Sequence, residues 1–401
     1  MNILLFSHVE VSAVPKAGGI QRVTQLLARN FAQSGYCVFH AFFSSENANA
    51  LIPAENKIQL EWGQEYKQLA PFLQNNNIDF IIFQNILGGG DALLKNVRRA
   101  ADDAHSKIIF CLHVSPDSCL AKPSFPAEFY RLIHWKIPKI CIKRLIKSSL
   151  PRPIYNYFAL KQARKNFEIY NKYSDKIVLL SQSHIDTYYK ISKIKEKQKV
   201  TSIPNPLTFD EFISENEFSQ KRNEVLILCR LSERQKRITE SLKIWQKIQN
   251  QEIAKDWTLV VVGGGEDEAY IKRFSKRLNI SNITFEGFQH PLAYFKRAKI
   301  FMMTSIWEGF GMTLIEAQQN GAVPMAFNSF TALSDIIDDN FNGIIIENHN
   351  FTQYAKKCAD LMTNEQKRIL LAKNAIESCQ KFSTQTIVKQ WNKLFEDMKN
   401  T

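Results

Sequence analysis

Two carboxylates in the stretch SIWEGFGMTLIEAQQNG, Glu308 and Glu316, flank a Gly-Phe-Gly turn where an apolar helical pattern begins. A pair of glutamates suggests acid/base hydrolysis. In one continuous helix, however, eight residues at about 1.5 Å each would hold them ~12 Å apart. A glycosidase pair sits roughly 5 to 9.5 Å apart, so a hydrolytic dyad is disfavoured. The spacing instead predicts Glu308 in a loop, a bend at Gly309-Phe310-Gly311, and Glu316 one turn inside a helix. The two carboxylates could then accept hydrogen bonds from two sets of hydroxyls on one elongated ligand, with phosphate on the helix amides between them. The plainer reading, a helix-start acid beside an unrelated core-edge glutamate, stays open.

Cations cluster in Arg230-Leu231-Ser232-Glu233-Arg234-Gln235-Lys236-Arg237, which follows the apolar run EVLILC and leads into a helical pattern. Positive charge at a helix N-terminus costs about 0.3 to 1 kcal/mol per residue, so an anion is expected to compensate. Arg230 with Lys236 suits a diphosphate leaving group, whose negative charge grows as the phosphate ester bond breaks. Arg234 fits plain surface charge better. Two glycine turns open helices, Gly18-Gly19 and Gly263-Gly264-Gly265, and each could admit a phosphate to the backbone or simply shape the chain. His113 ends the strand-like KIIFCLH; His8, after the first strand, is a weaker candidate.

Elements must position these groups. Strand-like runs at 2–7, 37–43, 79–84, 107–113 and 176–181 alternate with helical stretches such as 20–34 and 91–104, which predicts a doubly wound parallel sheet. The run 200–203 meets Pro204-Asn205-Pro206, where two prolines break the pattern. Alternation restarts at 224–230, 257–263, 283–287, 299–305, 322–327 and 343–347. The prediction is therefore an N-terminal domain over 1–203, a C-terminal domain over 204–383, and a last helix over 384–401 packing back on the first domain. Ligands in such sheets bind beyond the carboxyl ends of the strands, where every residue named above lies.

The 401 residues exceed one ordinary core, and 45% hydrophobic with 23% charged residues is globular composition. MNILLFSHVEVS resembles a strand more than a signal peptide, and no run offers the roughly 18 apolar residues of a spanning helix, so a cytoplasmic protein is expected. Seven scattered cysteines without CxxC spacing point away from disulfides and zinc. The net charge of +13 invites an anionic partner. Residues 131–165 hold ten Lys/Arg and no Asp or Glu, interleaved with aromatic and aliphatic side chains. That stretch suits anionic lipid headgroups, or else is a solvated basic face. No nucleic-acid-binding pattern occurs, and the GxGxxG turn with a following acid that a nicotinamide enzyme needs is absent.

Taken together, EGFGMTLIE followed by Ala317-Gln318-Gln319-Asn320-Gly321-Ala322-Val323-Pro324, the stretch GGIQRVTQLLARNFAQSGYCV, IPNP and FNSFTALSDIIDDNFNG resemble the retaining glycosyltransferases of family 4. The resemblance implies the GT-B fold of two facing Rossmann-like domains. It implies transfer of a hexose from a nucleoside diphosphate sugar, such as a UDP-sugar, to a glycan acceptor in cell-surface polysaccharide or lipopolysaccharide synthesis. A lipid-linked acceptor and a peripheral place at the inner membrane face fit the basic stretch. By that analogy Glu308 binds the donor sugar, Glu316 the ribose, and the amides of Phe310, Gly311, Met312 and Thr313 the sugar and diphosphate. Arg230 and Lys236 hold the diphosphate, Gly19 and Gly264 approach it, Phe288 contacts the base, and His113 approaches the transferred sugar. The family needs no metal or other cofactor. Arg230 and Lys236 are six apart, against five in the family, so Arg237 competes with Lys236 for the role. A basic insertion after His113 also departs from a minimal member. A nucleotide-sugar epimerase or hydrolase of the same architecture, or a non-catalytic sugar- or lipid-binding module, are the alternatives.

Overall fold

The computed structural model describes all residues except 12–18, 46–50, 85–89, 124, 135–137 and 401. It divides into two compact units: Met1–Asp117 with Leu160–Thr208 and Phe382–Thr401, and Ser118–Ala159 with Phe209–Lys381.

The first unit is built on seven parallel strands: β1 (Asn2–Phe6), β2 (Cys37–Phe42), β3 (Lys57–Gln59), β4 (Phe80–Gln84), β5 (Lys107–Leu112), β6 (Lys176–Leu179) and β7 (Val200–Ser202). Their order is β3-β2-β1-β4-β5-β6-β7, so the chain starts in mid-sheet and winds outward both ways. Central strands covered on both faces need continuous apolar runs rather than alternation, and ILLF in β1 and FIIF in β4 are such runs, each side chain at most 1% exposed. The helix Thr384–Lys399 belongs to this unit. Trp391 and Phe395 pack their rings on Phe31 at 5.9 and 5.7 Å, Phe395 meets Phe80 at 4.9 Å, and the Tyr36 hydroxyl donates to Asn392 at 2.9 Å.

The second unit has six parallel strands: β8 (Arg222–Leu228), β9 (Thr258–Val262), β10 (Ile283–Gly287), β11 (Ala298–Met303), β12 (Val323–Phe327) and β13 (Ile344–Ile346), in the order β10-β9-β8-β11-β12-β13. Both units are Rossmann-like, and the expected doubly wound α/β class is the observed one. Adjacent strands in the middle of the order, β8 and β11, leave the sheet side by side, which is the switch point where loops diverge and ligands fit.

Three details differ from the sequence expectation. The strand β3 was not predicted, because KIQ offers one apolar residue in three and pairs only at the sheet edge with β2. The division falls after Thr208 rather than at 203 because the chain beyond β7 stays bound in the first unit: Leu207 is buried and its amide donates to the Phe382 carbonyl at 2.8 Å. Residues 118–159, placed in the N-terminal domain by the sequence, group with the second unit, where Tyr155 lies within the field of Arg234.

Candidate active site

The loop after β8 explains why its cations are tolerated at a helix start. Arg237 takes a left-handed conformation (φ 51°) and caps the helix Ile238–Ile248. Glu233 supplies the anion that the helix end calls for: its carboxylate accepts from the Thr239 amide at 2.9 Å and the Thr239 hydroxyl at 2.6 Å. It does so while nearly dry, and burial pushes its carboxyl above the ordinary range. The compensation expected from a ligand is thus already present inside the chain, a correction to the sequence reading. Arg237 reaches Glu240 at 3.5 Å, and Lys236 turns the other way, to Glu308 at 2.5 Å. Among the described residues Lys236 is the cation paired with Glu308, and Arg230 is exposed at the loop's start.

The triple-glycine turn is welded to that loop. A Cβ on Gly263 (φ 132°) would stand 1.9 Å from the Cys229 carbonyl oxygen, and one on Gly265 would stand 2.6 Å from that of Leu231. The Leu231 amide donates to Gly264 O at 2.9 Å, and the Glu233 amide to Asp267 at 2.7 Å. Gly263 and Gly265 therefore serve backbone approach within the chain. Gly264, whose Cβ would meet only Glu268 at 3.7 Å, is sterically free to change.

Beyond β11 the chain lies in a loop through Glu308 and enters the helix Met312–Gln319. Gly311 begins that helix with φ 106°, a conformation in which a side chain would be strained. Glu316 is the fifth helical residue and fully buried, one turn in as predicted. Phe310 is buried under the turn, and Met312 and Thr313 are half-buried at the first two helical positions, whose amides have no partner within a helix. Glu308 is 7% exposed and doubly held: Lys236 pairs with one oxygen, and the Gln235 amide donates to the other at 3.3 Å while also reaching Trp307 O at 3.2 Å. Sequence reasoning passed over Gln235 and Glu233. The only available signal was their place in the loop that carries Lys236.

Phe288, just past β10, is 69% exposed. In the first unit, Gly19 is the exposed first residue of the helix Gly19–Gln33, and no described atom lies within 4 Å of where its Cβ would stand. The rest of its loop, including Gly18, lies outside the described residues. His113, directly after β5, is buried and hydrogen-bonds Gln84 at the end of β4. Burial pushes it down to about 4, so it is neutral at pH 7; His40, bonded to the Ser7 hydroxyl at 2.8 Å, falls to about 3 for the same reason. An unfolded chain protonates both near their ordinary value of about 6.5, so the stability they lend is full above that pH and is lost as pH falls toward 4. Unfolding free energy measured in urea should therefore decline from roughly pH 6 to 4, by up to about 1.4 kcal/mol per pH unit for each histidine. His40→Gln should remove one proton's share of that slope, and an unchanged slope would refute the assignment.

The second unit thus joins a cation, a carboxylate and the open start of a helix at neighbouring strand ends. Residues 208–378 match the family described as glycosyl transferases group 1. The match covers the Phe209–Lys381 segment of the second unit almost from end to end. The chain is similar, at 24% identity over 95% of its length and 97% of the relative's, to the amylovoran biosynthesis glycosyltransferase AmsD of Erwinia amylovora. It is 25% identical over 51% of its length and 56% of the relative's to a Campylobacter jejuni N-acetyl-D-galactosaminyltransferase whose name specifies an undecaprenol-linked substrate. Its fold matches the crystal structure of Anabaena Alr3699/HepE in complex with UDP, with a TM-score of 0.71 and 16% identity over 99% of this chain and all of that one. This is the GT-B architecture.

Proposed function

We propose that this glycosyltransferase moves a hexose from a nucleoside diphosphate sugar, a UDP-sugar in the first instance, onto a lipid-linked glycan at the inner membrane face during polysaccharide synthesis, with retention as in family 4. The observation that carries the donor side is the Lys236–Glu308 pair at the joined ends of β8 and β11, beside the helix start at Gly311. A leaving diphosphate gains charge as its ester bond breaks, and Lys236 with Arg230 offers it compensating charge without a metal ion. Glu308, oriented by Gln235, accepts from donor hydroxyls; Glu316 takes the ribose; the amides of Met312 and Thr313 take phosphate or sugar oxygens. Same-face attack, with the leaving phosphate accepting the acceptor's proton, needs no protein nucleophile. The neutral imidazole of His113 can donate or accept one hydrogen bond toward the transferred sugar. The acceptor side is supported by the relatives' names, one in amylovoran synthesis and one acting on an undecaprenol-linked glycan.

Calorimetry with a panel of UDP-, GDP- and ADP-sugars tests the reading. One base should bind, and Glu316→Ala should weaken that binding by about tenfold or more, since losing charged hydrogen bonds costs roughly 1.5 to 3 kcal/mol. No binding by any donor, or affinity unchanged in the variant, would sink it; donor consumed without any acceptor would point to a hydrolase or epimerase instead.

A further inference from the structure

Among the described residues, eight of the thirteen large hydrophobic side chains that stand exposed fall between 125 and 158, inside the one insertion that the donor site does not use. They are ordered by helix. Phe125, Phe129 and Ile133 recur every four residues on the helix Phe125–His134, with the first two rings stacked at 6.2 Å. Ile142 and Ile146 do the same on Pro138–Ser149. Ile154, Tyr157 and Phe158 share a face at the start of Arg152–Tyr173. Four-residue spacing puts side chains on one stripe, so each helix shows solvent an apolar face that a folded chain would ordinarily bury.

The faces are held in place from behind. Lys122 donates to the Leu150 carbonyl at 2.6 Å, and the Tyr155 hydroxyl reaches the carbonyls of Cys119 and Ala121 at 3.1 and 2.9 Å. Exposed cations border the stripes: Lys143 and Lys147 each follow an exposed isoleucine, and Arg152 opens the third helix. From 131 to 165 no acid offsets them. None of the described helices is long and apolar enough to cross a membrane.

We infer that the helices Phe125–His134 and Pro138–Ser149 and the start of Arg152–Tyr173 insert their apolar stripes among the acyl chains of an anionic bilayer while the bordering cations pair with the headgroups. Charge alone would leave the protein resting on the surface; the exposed stripes add a hold that salt does not screen. This deepens the lipid-linked acceptor reading, since it brings the insertion to the phase where such an acceptor resides, but it stands on its own residues and fails separately.

Partitioning onto vesicles of neutral phosphatidylcholine, with and without about 30% phosphatidylglycerol, at about 0.1 M and about 0.5 M salt, tests it. Wild type should prefer the anionic vesicles at least tenfold and keep measurable binding in high salt. Phe129→Ser combined with Ile133→Ser, Ile146→Ser and Phe158→Ser should lose at least tenfold at both salts. Lys143→Gln with Lys147→Gln and Arg152→Gln should lose it at low salt only. Donor calorimetry on each variant reports folding and keeps the two proposals apart. Should the serine variant not fold, Phe129→Trp preserves an apolar face, and its added emission should be quenched by lipids brominated in their tails. Overturning results are equal recovery with neutral and anionic vesicles, a serine variant that binds like wild type, no quenching, or wild-type self-association that the serine variant abolishes in the absence of vesicle binding.

Discussion

Lys236→Ala should lower kcat/KM for the donor by roughly 10²- to 10³-fold, the effect of removing one preorganised charge from a developing anion. The ammonium stands 2.5 Å from Glu308 in a site where the two side chains are only 15% and 9% exposed, so water will not replace it well. A second consequence follows from that burial. The substitution leaves Glu308 with Gln235 as its remaining partner in the site, at a stability cost of about 1 to 3 kcal/mol. The two effects separate experimentally: Lys236→Ala with Glu308→Gln should recover the melting temperature without recovering turnover. A single variant within threefold of wild-type kcat/KM would remove Lys236 from the chemistry, and recovery of turnover in the double variant would reduce its role to neutralising the buried Glu308 charge.

The largest loss of stability should come from Gly263→Ala. The added methyl would stand 1.9 Å from the Cys229 carbonyl oxygen, at a backbone angle of 132° that side chains rarely adopt. Neither β8 nor β9 can yield, because the Cys229 amide is itself bonded to the Val262 carbonyl at 3.1 Å. A loss above about 4 kcal/mol is expected, in the range reserved for core disruption and backbone strain. Gly264→Ala, one residue on, should stay within about 1 kcal/mol of wild type, as Gly-to-Ala changes do where the site is roomy. Urea unfolding of the two variants decides: equal stabilities would refute the close-approach account. If Gly264→Ala is stable yet binds donor poorly, that glycine lies against the ligand.

Much of the fold was legible because parallel strands buried on both faces must be nearly continuous apolar runs. FIIFQ, KIIFCL, TLVVV and AKIFMM could hardly be anything else, and each begins or ends within about two residues of expectation, the usual uncertainty of element ends. The strand at 57–59 was not legible, since a three-residue edge strand is specified by its neighbour rather than by its own side chains. In the site, the loop placement of Glu308 and the helical placement of Glu316 could be read from the glycine turn between them, because Gly311 requires a conformation few residues tolerate. The partners could not. Glu233 capping Thr239, and Gln235 steering Glu308, depend on how one short loop folds over itself, and no periodicity encodes that. The basic stretch was visible as charge, while its exposed apolar stripes needed the helices to show which side chains face outward.

The pairing of Lys236 with Glu308 also bears on what the enzyme refuses. A bare ammonium in a sheltered cleft would attract any passing phosphate or sulfate and spend much of its time blocked in a cell rich in such ions. Here an intruding anion must compete with a carboxylate already in place and brings nothing for that carboxylate to hold. A sugar diphosphate brings both halves of the exchange, negative charge for the lysine and hydroxyls for the glutamate. On the proposed donor role, the pair would work as a gatekeeper, its mutual neutralisation favouring ligands that carry sugar and phosphate together.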